Sequence, residues 1–400
     1  MSARRTLGWA TATGLLLVVL GVLYAGRDEG ASSRADPMVS GRETRATSPP
    51  SRLSGGLSIG GVKQRRLPSG AGSRPPDSRS SEIRFDCAQP APQSWTEADM
   101  EAARAEGEAL RARWLERLDA AEDPDLRLAA ALFLDEDDPE RLELLWSAVE
   151  AGDERPLTLH RLLTTCLAQP AAGRCADHRI VSRAIAADPH NGAMWVTAAA
   201  WRLGHDEPQA ALEAMERAAA ASTHREYFID AVLVYEQGLA AASDLGYSER
   251  VPFAIALEAA TPIPFTRLSR ACSERVEADS VWRGTCAELG RSTARRAHTM
   301  LGQLLGLELR RMTAEAGGDG AESAEVSERV SELMALMRDD RRAEAETVRR
   351  NDDRFARAYL DEWRTRGEAA ALRSMMEEVD RLKRIPGYDP CRGKAAPPGQ

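Results

Sequence analysis

Lysine is nearly missing from this 400-residue chain: Lys63, Lys383 and Lys394 are the only ones, and every other side-chain cation apart from histidine is Arg. That bias, together with the abundant Ala, reflects a GC-rich genome more than selection at individual sites. Positive charge is also short where nucleic acid would need it. The net charge is −9, and because Arg4, Arg5 and residues 27–80 are basic, residues 81–400 carry −16. Nucleic-acid affinity comes chiefly from Lys and Arg neutralising phosphates, so such an acidic body excludes nucleic acid as the partner.

Compact chemical motifs are missing too. No Gly-rich loop ends in Gly-Lys-Ser/Thr, which removes the P-loop nucleotide site. No His-Glu-x-x-His pair occurs and no Cys pair has zinc-finger spacing. His160, His178, His190, His205, His224 and His298 are scattered, and His205-Asp206-Glu207 would need a second loop to hold a metal. Two formal matches fail on context. "GLSIG" (Gly56 to Gly60) fits the Gly-x-Ser-x-Gly elbow of serine hydrolases but lies in a Gly/Ser-rich stretch, not between a strand and a helix. "DEDDPE" (Asp135 to Glu140) resembles the start of a calcium loop, yet the sixth and twelfth positions hold Glu140 and Trp146 instead of Gly and Glu. No catalytic residue, cofactor or metal is assigned.

Between Arg27 and Ser80 there is no aromatic residue and little that is large and apolar. Such a segment buries too little surface to offset the entropy of ordering, so 27–84 is expected to be a disordered tether. Residues 7–26, in contrast, read "LGWATATGLLLVVLGVLYAG" without a charge. At 1.5 Å per residue they span roughly 30 Å, the thickness of a bilayer's hydrocarbon core. Arg4 and Arg5 precede the run, so residues 1–6 are expected in the cytoplasm and the remainder outside the inner membrane, in a bacterial periplasm. Bulky Leu23 sits where a signal peptidase wants a small residue, which favours an uncleaved anchor over a cleaved signal.

"LRLAAALFLDEDDP" (Leu126 to Pro139) aligns without a gap to "WVTAAAWRLGHDEP" (Trp195 to Pro208). The offset is 69 residues, and a segment of half that length, from His160 to Pro189, lies between them. Three consecutive units of 34–35 residues follow from this spacing. In each, a first helix is marked by apolar residues three and four apart, such as Trp195, Ala198, Ala199 and Leu203. Gly204 is expected to end that helix, and Asp206-Glu207-Pro208 to cap and open the next, which continues through Ala211, Met215 and Ala218. Small residues at the crossing let the backbones approach, with Trp195 and Met215 filling the space beside them.

Residues 190–223 resemble a tetratricopeptide repeat. Trp195 takes the family's first large position, Ala199, Ala211 and Ala218 its small ones, Met215 the large one of the second helix, and Pro189 closes the preceding unit. Arg202, Ala198 and Thr223 depart from the pattern. The resemblance extends over 124–223 and implies an all-α, right-handed solenoid of helical hairpins; a generic hairpin array is the alternative. It also implies a partner groove lined by first helices: Arg127, Ala131 and Leu134, then Val196, Ala200 and Leu203. These positions lack the cations of the family's carboxylate clamp, so an apolar helix or strand of a partner fits better. The other reading is that they pack against the next unit.

The array is expected to fill 85–316. "REYFIDAVLVYEQGLAAA" and "YSERVPFAIALEAA" form a fourth hairpin. "FTRLSRACSERV" and one long helix from Ser280 to Met312 form a fifth. Six cysteines in an exported chain permit disulfides, with buried thiols as the alternative. Antiparallel helices bring Cys166 near Cys175 and Cys272 near Cys286, which leaves Cys87 and Cys391 to pair by elimination. Residues 317–391 are charged, with apolar seams at Val326, Val330, Leu333 and Met337 and at Leu372, Met375, Val379 and Leu382. They are expected to pack on the array, with self-association through 322–383 as the alternative. Residues 392–400 are expected to form a loose tail. Together these features predict an anchored scaffold that holds an envelope protein or peptide without catalysis. The competing reading is an all-α envelope hydrolase or lyase with carboxylates in a groove.

Overall fold

Asp and Pro set where the first helices begin. Asp123 and Asp138 are extended, each followed by a Pro, and each side chain accepts a hydrogen bond from the amide two residues on. Pro fits the first turn because the amide it lacks would have no intrahelical acceptor there. A computed structural model of the chain describes residues 85, 87, 97–119, 121–169, 173–177, 179–261 and 264–391. Residues 1–84, with the expected anchor, tether and Gly-x-Ser-x-Gly match, lie outside the described residues, as do His178 and the tail 392–400. No described helix is long and apolar enough to cross a membrane.

Among the described residues all regular structure is helical. Helix α1 (Glu97–Asp119) precedes the three units, which give α2 (Pro124–Phe133), α3 (Pro139–Glu150), α4 (Pro156–Ala168), a 3-10 turn at Gly173–Ala176, α5 (Arg179–Ala187), α6 (Gly192–Gly204) and α7 (Pro208–Ala220). There follow α8 (Phe228–Ala242), α9 (Tyr247–Ala259), α10 (Phe265–Arg275), α11 (Ser280–Arg296) and α12 (Met300–Gly317). The charged end forms α13 (Gly320–Arg338), α14 (Asp340–Arg349), α15 (Asp353–Arg366) and α16 (Glu368–Leu382).

Helix α6 explains the alanine triplet. Met194, Ala198 and Trp201 belong to one apolar cluster, shared with α1–α5, α8 and α9. Val196, Ala199 and Ala200 belong to a second, shared with α7, α10 and α11. A helix buried on both sides must be apolar around most of its circumference, and small residues let it approach neighbours on either side. Trp201, not Trp195, is the large side chain that is wholly enclosed. Trp195 is half-buried, with its indole N–H donating to Pro189 O at 2.9 Å.

Two local expectations are corrected here. Gly204 remains helical, and its bareness serves Arg267, since a Cβ there would lie 2.6 Å from Arg267 Nη1. The left-handed residue of this turn is Asp206 (φ 56°), and Glu207 precedes Pro208 at the start of α7 without a side-chain cap.

Neighbouring helices pair in sequence from α1 to α7, and then the order changes. Helix α8 does not continue the stack on α7 but packs on α2 and α1. Tyr235 O–H donates to Leu132 O at 2.7 Å, and Arg117 donates to Ala242 O at 2.7 Å. Gly238 permits the approach, because a Cβ there would sit 2.8 Å from the Ala129 Cβ. Helices α10 and α11 pack on α6 and α7 instead. Where units of a linear array touch only their neighbours, the fourth hairpin here returns to the first and the fifth adjoins the third.

The long helix expected from Ser280 to Met312 is two helices. The chain breaks at Ala297–Thr299 and α12 folds back on α11, the most extensive helix contact of the body. Thr299 caps α12 by accepting from Gly302 N at 2.9 Å. Gly290 faces Gly306 across the pair, and a Cβ at Gly290 would lie 2.9 Å from Gly306 O. Residues 317–391 fold onto the body: α13 packs on α12, and α15 on α8 and α9, with α14 and α16 beside them. Val326, Leu333, Leu372, Met375, Val379 and Leu382 are buried there, while Val330 and Met337 are half-buried.

Candidate functional site

A set of titratable side chains lies where interhelical turns sit side by side. Gly192 N–H donates to Thr223 O at 2.8 Å, His298 N–H to His224 O at 3.2 Å, and Glu368 N–H to His298 O at 2.7 Å. These turns lead into α6, α8, α12 and α16, whose first amides have no intrahelical acceptor. Side chains supply acceptors. Asn191 Oδ1 takes Ala193 N at 3.1 Å and Arg225 N at 2.8 Å. Glu226 takes His298 N at 3.0 Å, Thr299 N at 3.3 Å and Thr299 Oγ1 at 2.9 Å. Glu368 takes Met300 N at 2.7 Å. Gly302 and Gly192 leave the necessary room: a Cβ at Gly302 would meet Glu226 Oε1 at 2.0 Å, and one at Gly192 would meet His224 Nδ1 at 2.8 Å.

Burial pushes the Glu226 carboxyl up to about 7, against the pull of the Thr299 and His298 donors. Burial raises Glu368 as well. It lowers His224 to about 4, with His298 and Arg296 adding to the effect, and lowers His298 with help from Arg225. A carboxyl group titrating near neutrality is what acid–base chemistry requires. Here, however, the Glu226 oxygens are engaged by His298 and Thr299, the two residues that lead into α12, which is the work of a structural anchor at a helix start.

A second polar group lies inside the first apolar cluster. Arg161 on α4 pairs with Glu258 on α9, both at most 5% exposed. Arg141 on α3 donates to Leu134 O at 2.8 Å and to Thr165 Oγ1 at 3.2 Å, and its other nitrogen is 3.8 Å from Glu136. Burial pushes the Glu258 and Glu136 carboxyls above the usual range, with Arg161 and Arg141 pulling the other way. These charges bind α3, α4 and α9 together. Clefts on the described surface include the following pair. One, of 540 Å³ between α15 and α16, has Phe355, Tyr359 and Met375 in its floor and Glu377, Arg381 and Arg384 at its rim. The other, of 330 Å³ between α7 and α11, is walled by Ala219, Ala220 and Gly284, with Glu216 and Glu288 beside them.

The residues expected to line a partner groove are not brought together as an open face. Ala131 and Leu134 are buried, and Val196 and Ala200 lie in the second cluster. Leu203 is half-buried against that cluster, and exposed Arg127 donates to Glu122 O at 3.2 Å. Packing against neighbouring helices accounts for most of the set. The cysteines pair as expected: Cys166–Cys175 and Cys272–Cys286 by hairpin spacing, and Cys87–Cys391 as elimination leaves it. No group of three or more potential metal ligands occurs among the described residues.

Sequence reading missed Glu226, Glu368, Arg161 and Glu258. For the last two a signal exists, since each interrupts an apolar helical stripe, in "LTLHRLLTTC" and "FAIALEAA". Glu226 and Glu368 stand just before or at helix starts, where an acid is commonplace, and nothing local marks them. Comparison with known proteins finds no matching family model, no matching curated protein and no matching solved structure.

Proposed function

We propose that this chain is a non-enzymatic, tetratricopeptide-like repeat protein, anchored in the inner membrane by residues 7–26 with its body in the periplasm, where it holds or organises a protein partner. The observation that carries this reading is the pairing of all six cysteines within an all-helical body of hairpins. Structural disulfides form and persist outside the reducing cytoplasm. The hairpins α2–α3, α4–α5 and α6–α7 support the repeat resemblance, and the interior use of Glu226, Glu258, Arg161 and Arg141 favours scaffolding over catalysis.

The enzyme reading retains one specific observation, the Glu226 carboxyl pushed up to about 7 by burial while it accepts from the His298 amide. One experiment separates the two. Intact cells, spheroplasts and lysed cells are treated with protease, and the protein is crosslinked in its own envelope. The scaffold reading expects the body to be cut in spheroplasts and a specific envelope protein to be joined to it. Protection of the body in spheroplasts overturns the address. Hydrolysis of envelope glycan or peptide fractions that Glu226→Gln abolishes overturns the non-catalytic role.

A further inference from the structure

The three bridges differ in their surroundings. Cys166, Cys175, Cys272 and Cys286 are at most 1% exposed, whereas Cys87 and Cys391 are both half-buried. Thiol–disulfide exchange needs a thiolate to reach a sulfur, so solvent access decides which bridge reacts. They also differ in what they close. Two span 9 and 14 residues within hairpins; Cys87–Cys391 spans 304 and joins the chain entering the body to the chain leaving it.

Around the half-buried bridge the contacts among the described residues are specific. Phe85 is 7% exposed and meets the Tyr388 ring edge-on at 5.5 Å. Tyr388 O–H donates to Asp352 Oδ2 at 2.9 Å. Asp352 caps α15 by accepting from Arg354 N at 2.9 Å and Phe355 N at 3.2 Å. The adjoining Asp353 accepts from Ser248 N, at the start of α9, at 2.9 Å. After α16 the chain to Cys391 is held by single-turn bonds at Arg384, Ile385 and Tyr388. An aromatic contact, a phenol hydrogen bond and one disulfide thus fix both chain ends to the α9–α15 corner.

We propose that Cys87–Cys391 is a thiol-operated clasp, opened by a dithiol reductant while the two interior bridges and the helical body stay intact. One thiolate of the reductant attacks a clasp sulfur, giving a mixed disulfide and releasing the other cysteine as a thiolate that takes a proton from solvent. The second thiol of the reductant then resolves the mixed disulfide. Two electrons and two protons pass to the cysteines, and the dithiol leaves as its own disulfide. Closed, the clasp transmits tension on the chain before Cys87 to both the start of α1 and the end of α16. Open, the same tension falls on α1 alone, and the Phe85 and Tyr388 segments separate. This holds whatever the body binds.

The test uses the oxidised full-length protein, graded dithiothreitol, an iodoacetamide quench and a peptide mass map. Cys87 and Cys391 are expected to be alkylated at least roughly tenfold faster than the other four, as access governs exchange. Hydrogen exchange on the partly reduced protein is expected to show faster exchange over 384–391 and the first turn of α15, with α6, α7 and α11 unchanged. Opening of Cys166–Cys175 or Cys272–Cys286 at an equal rate overturns the proposal, and so does unaltered exchange after clasp reduction. The double variant Cys87→Ser/Cys391→Ser is expected to exchange like the reduced protein. Failure of that variant to fold, or global unfolding on clasp reduction, also overturns it by making the bridge a requirement of the fold.

Discussion

Gly306 lies so close to Ala294 that a Cβ at 306 would stand 2.3 Å from the Ala294 nitrogen. The neighbour is backbone, which has no rotamer to move away, so the α11–α12 hairpin exists in this form only with glycine at that position. Gly306→Ala is expected to destabilise the protein by about 3 kcal/mol or more, the upper range for overpacking. Gly284→Ala on α11 meets nothing within 4 Å and is expected to stabilise by up to about 1 kcal/mol through helix propensity. Urea denaturation of both variants measures the difference, and equal effects would remove the close approach.

The buried Arg161–Glu258 pair predicts asymmetric mutant energies. Arg161 Nε and Glu258 Oε2 have no hydrogen-bond partner among the described residues, so the pair is incompletely compensated. Glu258→Gln leaves a buried guanidinium without its counter-charge and is expected to cost about 3–5 kcal/mol. Arg161→Met with Glu258→Leu removes both charges and is expected to return stability to within about 1 kcal/mol of wild type or above it. A double-mutant cycle in urea reads the coupling.

Glu226 predicts a pH dependence of definite sign. Its folded pKa, about 7, lies above the ordinary carboxylate value, so the folded state holds the proton more tightly than the unfolded chain. Its contribution to stability is therefore fully present below about pH 4 and is lost as pH rises toward 7. Glu368, also raised, acts in the same direction. His224 and His298, lowered by burial, act in the opposite one, adding stability as pH rises through the acid range up to the ordinary imidazole value. The overall slope is thus a difference of terms, and the decisive comparison is between variants. From pH 5 to 7, Glu226→Gln is expected to lose less stability, or gain more, than wild type; parallel pH curves would place Glu226 in solvent.

Trp201 is expected to matter more than Trp195. It is wholly enclosed and stacked on His205 with ring centroids 3.7 Å apart. Trp201→Ala is expected to cost about 3–5 kcal/mol, whereas the half-buried Trp195 loses part of that when truncated. Thermal unfolding of the two variants checks the order, and a larger loss at Trp195 would favour the arrangement that the repeat resemblance implies.

Much of the local structure was legible in advance. The Asp-Pro pairs at 123–124 and 138–139 carry their own capping chemistry, and α2 and α3 start at them. Cys166–Cys175 and Cys272–Cys286 follow because short connections force helix ends together. The break at Ala297–Thr299 was not legible, since "AHT" contains neither Pro nor Gly and the acceptor holding its amides, Glu226, is 72 residues away from His298. The two readings of the groove positions could not be separated locally for a related reason: Val196 and Ala200 face outward only if nothing later in the chain covers α6, and α10 packs on it.

Local sequence was enough to show that helical hairpins form, roughly where many of them begin, and that Cys166 meets Cys175 and Cys272 meets Cys286, because caps, periodicity and short connections act over a few residues. Tertiary structure alone decided that α8 returns to α2, that α10 and α11 settle on α6 and α7, and that Glu226 and Glu368 cap a helix they do not belong to. The reason is physical. Apolar burial has no direction and names no partner, so which faces meet is settled by shape at places such as Gly238, Gly302 and Gly306, where the absence of a single carbon lets another part of the chain in.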